Sequence, residues 1–261
     1  MKLLILAAGK GERMGDLTKK TNKCMLPVVG SWTSLDHVIS EVPNYEDTIN
    51  EVVIVVGYRK EDIIDYVGKN ILSIPVTYVA QEKQNGMVDA LHSSQKAIGD
   101  DDFILMLGDE LVWPRPYLHR MIGIFKQPHV WGCVGYIVQP SFEEVQKTFS
   151  IAFTGGSTQF IQMEEKPEKR PFGRCVLQGT GHGIFPAEFL TYWDKKNPYT
   201  HKRPATYVDM LTNAMRDHHC IELCHIGNRY FNINTPEEIE VAKRWCGGAE
   251  DNIISEVTYL L

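Results

Sequence analysis

The sequence predicts an α/β protein organised around a doubly wound, mostly parallel sheet. Two observations carry the prediction. Five short runs, "LLILAAG" (3–9), "VVIVVG" (52–57), "VTYVAQ" (76–81), "DFILMLGD" (102–109) and "WGCVGYIV" (131–138), are nearly continuous in Val, Ile and Leu. That is the composition of parallel strands covered on both faces; half-exposed strands alternate apolar with polar. Helical patterns separate consecutive runs, and right-handed crossovers turn such a βαβ series into a doubly wound sheet.

The helical stretches between the runs are "SLDHVISEV" (34–42), "KEDIIDYVGK" (60–69), "MVDALHSSQKAI" (87–98) and "RPYLHRMIGIFK" (115–126). After residue 140 the rhythm changes. "SIAFTGGSTQFIQMEEKP" reads as a hairpin around Thr154–Gly155–Gly156–Ser157. Helices follow in "PAEFLTYWDKK" and "YVDMLTNAMRDH", then strands in "IELCHI" and "YFNI". "TPEEIEVAKRW" closes the pattern with Thr235 as N-cap, Pro236 at the first helical position and Glu238 completing a capping box. The chain shows no repeat and no low-complexity linker. One domain over 1–261 is expected, with a nucleotide-binding half (about 1–140), an inserted α+β half (about 141–245) and a tail (246–261).

Composition excludes several functions. A net charge of −6 argues against a broad electrostatic grip on nucleic acid or an anionic membrane. No apolar run approaches the roughly 18 residues a membrane span needs. "MKLLILAAGK" runs at once into Gly9, Gly11 and Arg13 without a signal-peptide cleavage pattern. Six scattered cysteines fit reduced thiols in a cytoplasmic protein rather than a disulfide frame.

Ligands of doubly wound sheets gather at the carboxyl ends of the strands, which selects the polar residues worth attention. "AAGKGERMG" follows the first run, "AQEKQNG" the third and "LGDE" the fourth. The first loop supplies Gly9, Gly11, Arg13 and Lys23, the chemistry of a polyphosphate cradle. Asp109, just beyond an apolar strand, offers a hard oxygen ligand for magnesium. A dinucleotide fingerprint does not fit, because Met14 stands where its third glycine belongs. In "HHCIELCH" (218–225), Cys220, Glu222 and Cys224 alternate along a strand outside this crevice, a poor zinc arrangement.

Taken together, "LAAGKGERM…TNKCMLPV", "LGDE", "MEEKP" and "FNINTPEEI" resemble, in order and spacing, the motifs of the sugar-1-phosphate nucleotidyltransferases. The resemblance covers about residues 1–245 and is carried most specifically by the first motif. It implies a Rossmann-like, GT-A-like nucleotidyltransferase fold. It also implies condensation of an NTP with a sugar phosphate, giving a nucleotide-sugar and pyrophosphate. Arg13 and Lys23 would then hold the triphosphate and serve catalysis. Ala7, Ala8, Gly9 and Gly11 would meet the nucleotide, Gln81 would read the base, and Gly86 would let the base lie against backbone. Glu165, Lys166 and Gly181 would form the sugar-phosphate site. Asp109 would bind Mg2+, and Asn232 falls where many relatives carry a second metal aspartate. Relatives are often dimers or tetramers, so a homo-oligomer is compatible with the resemblance.

Such chemistry needs positioning and charge neutralisation more than a strong base, since the attacking phosphate is already anionic. UTP, dTTP and CTP remain open as donors. Asn232, Phe149–Ser150 in place of Tyr-Gly, and Met87–Val88–Asp89 depart from the commoner pattern. They keep two alternatives in view: a cytidylyltransferase for an aminoalcohol or polyol phosphate, and a non-catalytic nucleotide-sugar-binding regulatory subunit.

Overall fold

A computed structural model describes residues 1–139, 141–153, 161–169, 176–195 and 206–246. In chain order the elements are β1 (Lys2–Leu6), β2 (Pro27–Val29), β3 (Trp32–Thr33), α1 (Ser34–Ile39), β4 (Glu51–Val56), α2 (Lys60–Val67), β5 (Asn70–Ile71), β6 (Ile74–Ala80), α3 (Met87–Ile98), β7 (Phe103–Leu107), β8 (Glu110–Trp113), α4 (Leu118–Phe125) and β9 (Gly132–Gln139). They continue with α5 (Phe142–Val145), β10 (Phe149–Phe153), β11 (Ile161–Glu165), β12 (Val176–Phe185), α6 (Tyr207–Arg216), β13 (Ile221–His225), β14 (Arg229–Asn232) and α7 (Pro236–Cys246).

The strands β7, β1, β4 and β6 lie side by side and parallel, in register from Lys2 opposite Phe103 and Glu51 onward. Their side chains alternate between two cores. Leu3, Ile5, Val52, Ile54, Ile104 and Met106 face α1, α2 and α4 on one side, while Leu4, Leu6, Val53, Val55, Phe103 and Leu105 face α3 and α6 on the other. Each fully buried aliphatic side chain contributes about 1.5–3 kcal/mol, so both faces demand an apolar residue at nearly every position. This is the origin of the continuous Val/Ile/Leu runs.

Beyond β7 the sheet becomes antiparallel. β12 pairs with β7 and with β9, and β13 lies parallel on the far side of β9. The run 131–138 is therefore a strand, as expected, but β12 separates it from the other four. The expected hairpin is present as β10 and β11, branching from the first half of β12; its turn at 154–157 lies outside the described residues. Two helical expectations are adjusted. The stretch 186–196 forms a 3-10 helix over Ala187–Asp194, and α4 starts only at Leu118, beyond two prolines that cannot donate to a helix. The predicted capping box of α7 is formed: Glu238 N–H donates to Thr235 Oγ1 at 3.3 Å, and Thr235 N–H donates back to Glu238 Oε2 at 3.0 Å.

A third core fastens the first loop to the far end of the chain. Met14, Leu26, Val28 and Trp32 pack with Leu111, Ile233, Ile239 and Ala242. It joins the β2–β3 hairpin, the β8–β14 ribbon and α7; Lys23 lies just before the hairpin, Asp109 just before β8, and Asn232 ends β14. Among the described residues no helix is long and apolar enough to cross a membrane.

Candidate active site

Two cavities adjoin at the carboxyl ends of β1, β6 and β7. The first, about 770 Å³, is walled by the loop after β1, the loop after β6 and Asp109. The second, about 480 Å³, lies beyond Gly86, Met87 and Leu107, which line both.

The loop after β1 is bent so that its amides face the first cavity. Gly11 has φ 64°, and a Cβ there would stand 3.0 Å from both Lys23 Cβ and Thr18 Cγ2, so only glycine fits. Its carbonyl is held by Thr18 Oγ1 and by the N–H of Met14. The N–H groups of Ala8, Gly9 and Gly11 find no acceptor among the described residues. They form an array of donors of the kind that binds phosphate. Arg13, exposed on the following 3-10 turn, lines the same cavity. Ala7, predicted as a nucleotide contact, is not part of the wall. It is buried, its N–H donates to Val55 O and its carbonyl accepts from Asn22 Nδ2.

Asn22 is a residue that sequence reasoning missed. Fully buried, it also donates to Tyr58 O at 2.8 Å and accepts the N–H of Cys24 through Oδ1 at 2.8 Å. It thereby ties the lysine-bearing turn to two strand ends. Lys23 itself is buried, and its ammonium donates to Asp109 Oδ2 and, at 3.0 Å, to Asn234 Oδ1. Burial disfavours the charged form, but the Asp109 carboxylate more than offsets this, so the pKa of Lys23 is raised and the side chain stays cationic.

Asp109 and Asn232 meet through the β8–β14 ribbon. Asn232 is the register partner of Glu110, and Ile233 N–H donates to Asp109 O at 2.9 Å. Asn234 bridges the set, donating to Asn232 Oδ1 while accepting from Lys23. It stands two residues after Asn232 in "FNINTPEEI". One carboxylate and one carboxamide oxygen beside a phosphate-binding loop fit a divalent cation of the kind that completes its shell with waters and substrate oxygens. Among the described residues there is no group of three or more His, Cys, Asp or Glu that could hold a metal by itself.

The second cavity contains Glu165, Lys166, Gly181 and Asn232, together with Phe149, Thr206 and Tyr207. Glu165 ends β11, and Lys166 follows with φ 45°, its N–H held by Thr148 O at 2.8 Å. A Cβ at Gly181 would stand 2.3 Å from Leu107 Cδ1, so a side chain there would have to displace Leu107. The Gly181 N–H reaches Glu110 Oε2 at 3.0 Å. Glu110, 1% exposed, is a third residue, after Asn22 and Asn234, that sequence reasoning missed. Tyr230 donates to its Oε1 at 2.5 Å, and His182 Nε2 lies 3.4 Å from Oε2. Burial, then the neighbouring Asp109, push its carboxyl up to about 8.

Of the predicted residues, then, Ala8, Gly9, Gly11, Arg13, Lys23, Gln81 and Asp109 share the first cavity; Glu165, Lys166, Gly181 and Asn232 share the second; Gly86 borders both. A donor-lined, cation-bearing cavity opening onto a second cavity that contains Glu165 and Lys166 suits the class of enzymes that transfer phosphoryl groups between two substrates.

The comparisons with known proteins make this specific. A sequence model described as Nucleotidyl transferase matches residues 2–231, and the chain belongs to that family. Over 94% of its length it is 30% identical to UTP–glucose-1-phosphate uridylyltransferase AglF of Haloferax volcanii, covering 96% of that protein. It is also 37% identical, over 65% of its length, to the bifunctional protein GlmU of Methanococcus maripaludis, of which it spans only 36%. Solved structures share the fold: UDP-glucose pyrophosphorylase complexed with UDP-glucose superposes with a TM-score of 0.78 at 22% identity, covering 95% of this chain and 98% of that one. A UTP-bound UGPase from Acinetobacter baumannii gives 0.77 at 19% identity, covering 94% and 93%. The protein is a nucleotidyltransferase.

Proposed function

We propose that this protein transfers a nucleotidyl group from an NTP, with UTP as the leading candidate, to a sugar 1-phosphate, releasing pyrophosphate. The observation that carries the reading is the meeting of the two cavities at Gly86, Met87 and Leu107, with Lys23 and Asp109 in the first linked through Asn234 to Asn232 in the second. The similarity to a glucose-1-phosphate uridylyltransferase along nearly the whole chain supports both substrate classes.

The N–H groups of Ala8, Gly9 and Gly11 hold the nucleotide and its phosphates, and Gln81 meets the base. Arg13 and Lys23 flank the triphosphate. Glu165 accepts hydroxyl hydrogens of the acceptor, while Lys166 takes its phosphate. An acceptor phosphate oxygen then attacks the α-phosphorus in line as the bond to the pyrophosphate oxygen breaks. The pentacoordinate phosphoryl group carries more charge toward its equatorial oxygens, where the two cations already stand; losing one such fixed charge costs on the order of 3 kcal/mol of transition-state stabilisation. A Mg2+ held by Asp109 and Asn232 would neutralise phosphate charge and keep the two substrates in register. Tyr230 and the Gly181 N–H keep the Glu110 carboxyl fixed at the floor of the acceptor cavity. The enzyme works as one domain, in the cytoplasm.

The test is pyrophosphate release with Mg2+ across a grid of nucleoside triphosphates and phosphorylated acceptors, including aminoalcohol and polyol phosphates. Release with a UTP and sugar 1-phosphate pair is expected. Release only with a non-sugar phosphate, or binding of a nucleotide-sugar without any release, would replace the reading.

A further inference from the structure

We propose that Asp89, a residue that does not line the nucleotide cavity, sets the base preference of the enzyme by locking the side-chain amide of Gln81. The inference rests on the reading of the first cavity as the nucleotide site.

Gln81 is 7% exposed and lines that cavity at the end of β6. Its Nε2 donates to Gly86 O at 3.0 Å and to Asp89 Oδ2 at 2.8 Å. A carbonyl and a carboxylate only accept, so both must face the NH2 group, and the orientation of the amide is fixed by its surroundings. The two N–H bonds of Gln81 are thereby consumed. What remains for a ligand is the carbonyl oxygen alone.

Backbone donors line the same cavity as that side chain. The N–H groups of Ala8 and Gly86 find no acceptor among the described residues, and both residues line the same cavity. An acceptor among donors complements the imide edge of uracil or thymine, in which N3–H stands between two carbonyl oxygens. Cytosine places the N3 lone pair where the imide hydrogen would be, and adenine places N1 there; each opposes a lone pair to the Gln81 oxygen. Guanine supplies N1–H but sets an amine beside it, facing a backbone donor. Leaving paired groups unmatched in a buried site is strongly unfavourable.

Asp89 has an ordinary role available to it. It sits in the first turn of α3, where a carboxylate suits the helix dipole. Yet α3 starts at Gly86 without any side-chain cap, and the Asp89 carboxylate is directed back to Gln81 instead. Without it, Gly86 O would hold one N–H and release the other toward the cavity, and the amide could then donate as well as accept.

The experiment measures kcat/KM for UTP, dTTP and CTP in the wild type, Asp89→Ala and Asp89→Asn, with direct binding of UTP and CTP by calorimetry. The wild type should prefer UTP and dTTP to CTP. In Asp89→Ala the UTP-to-CTP ratio should fall by about tenfold or more, through KM and with the same change in the binding ratio. Asp89→Asn can still turn its oxygen to Gln81 and should show the smaller fall. A merely helix-stabilising Asp89 would lower UTP and CTP together and leave the ratio unchanged, which would overturn the proposal, as would a wild type that prefers CTP. Should Asp89→Ala not fold, Asp89→Leu, which keeps the size and removes the acceptor, takes its place, and an unchanged ratio overturns the proposal in the same way. Absence of turnover with every acceptor would count against the proposed reaction, while the calorimetric ratio would still report on Asp89.

Discussion

Lys23 shows how this site keeps a charge in a place that water barely reaches. Burial alone would drive an ammonium toward neutrality, and the Asp109 carboxylate restores the charge. The lysine is therefore placed and ionised before substrate arrives, which avoids reorganisation during reaction. Lys23→Ala should lower kcat by about 10²–10³-fold with an intact fold; steady-state kinetics and circular dichroism check both. Asp109→Ala should abolish turnover while the protein still unfolds cooperatively, and near wild-type activity would remove the metal assignment. Arg13, exposed at the cavity edge, should likewise act on kcat when changed to Ala; a change confined to KM would place it in ground-state binding instead. These residues were legible because "GKGERM" and "TNKCMLP" combine glycines with fixed cations at a strand end. Asn22 and Glu110 were not, because the partners of a buried hydrogen-bonding residue leave no signature in the sequence. Only the folded chain reveals that Asn22 joins two strand ends or that Glu110 has Tyr230 and Gly181 as donors.

At the scale of elements, the strands that the sequence disclosed and β12, which it hid, differ in what covers them. β1, β4 and β7 are covered on both faces by aliphatic cores, so their apolar runs are unbroken. β12 reads "VLQGTGHGIF", which looks like a loop. Its glycines are the spaces that neighbouring side chains fill: Phe149 would lie 1.9 Å from a Cβ at Gly179, Leu107 2.3 Å from one at Gly181, and Phe185 2.4 Å from one at Gly183. Strand identity there is set by the partners, which a single sequence does not name. Gly181→Ala should therefore cost about 1–3 kcal/mol of stability and, by displacing Leu107 between the cavities, raise KM for the acceptor more than for the nucleotide. Denaturant unfolding and two-substrate kinetics measure the two effects; equal KM values to wild type would show that Leu107 does not shape the acceptor site. β8 was hidden for a related reason, since four residues after "LGD" carry too little pattern to separate from a turn.

For the molecule as a whole, the doubly wound half was readable, and so were the hairpin β10–β11 and the strands β9, β13 and β14 of the antiparallel half, but not their order, because local units repeat a pattern while the insertion of β12 between β7 and β9 depends on long-range pairing. The interior also contains buried polar groups with consequences for acid stability. His37, completely buried, accepts Val112 N–H at 3.1 Å through Nε2. Burial, with Arg115 and His182 adding to it, holds its pKa well below 6.5. The folded state thus binds fewer protons than the unfolded chain below that value, so His37 stabilises the protein above 6.5 and this contribution is lost as pH falls. Urea unfolding at pH 7 and pH 5 should show that His37→Gln, whose amide oxygen can accept from Val112, reduces the acid loss by about 2 kcal/mol relative to wild type. The Glu110 carboxyl, raised to about 8, acts with the opposite sign but is common to both proteins and cancels.

The central claim is that two adjoining cavities join two phosphorylated substrates through the α-phosphorus. Its most direct test is product analysis by mass spectrometry after incubation of the protein with UTP, glucose 1-phosphate and Mg2+. The account predicts a UDP-sugar and pyrophosphate in equal amounts, neither of them formed by Asp109→Ala. Release of UMP or orthophosphate without a nucleotide-sugar, or no product across the other sugar 1-phosphates, would contradict it.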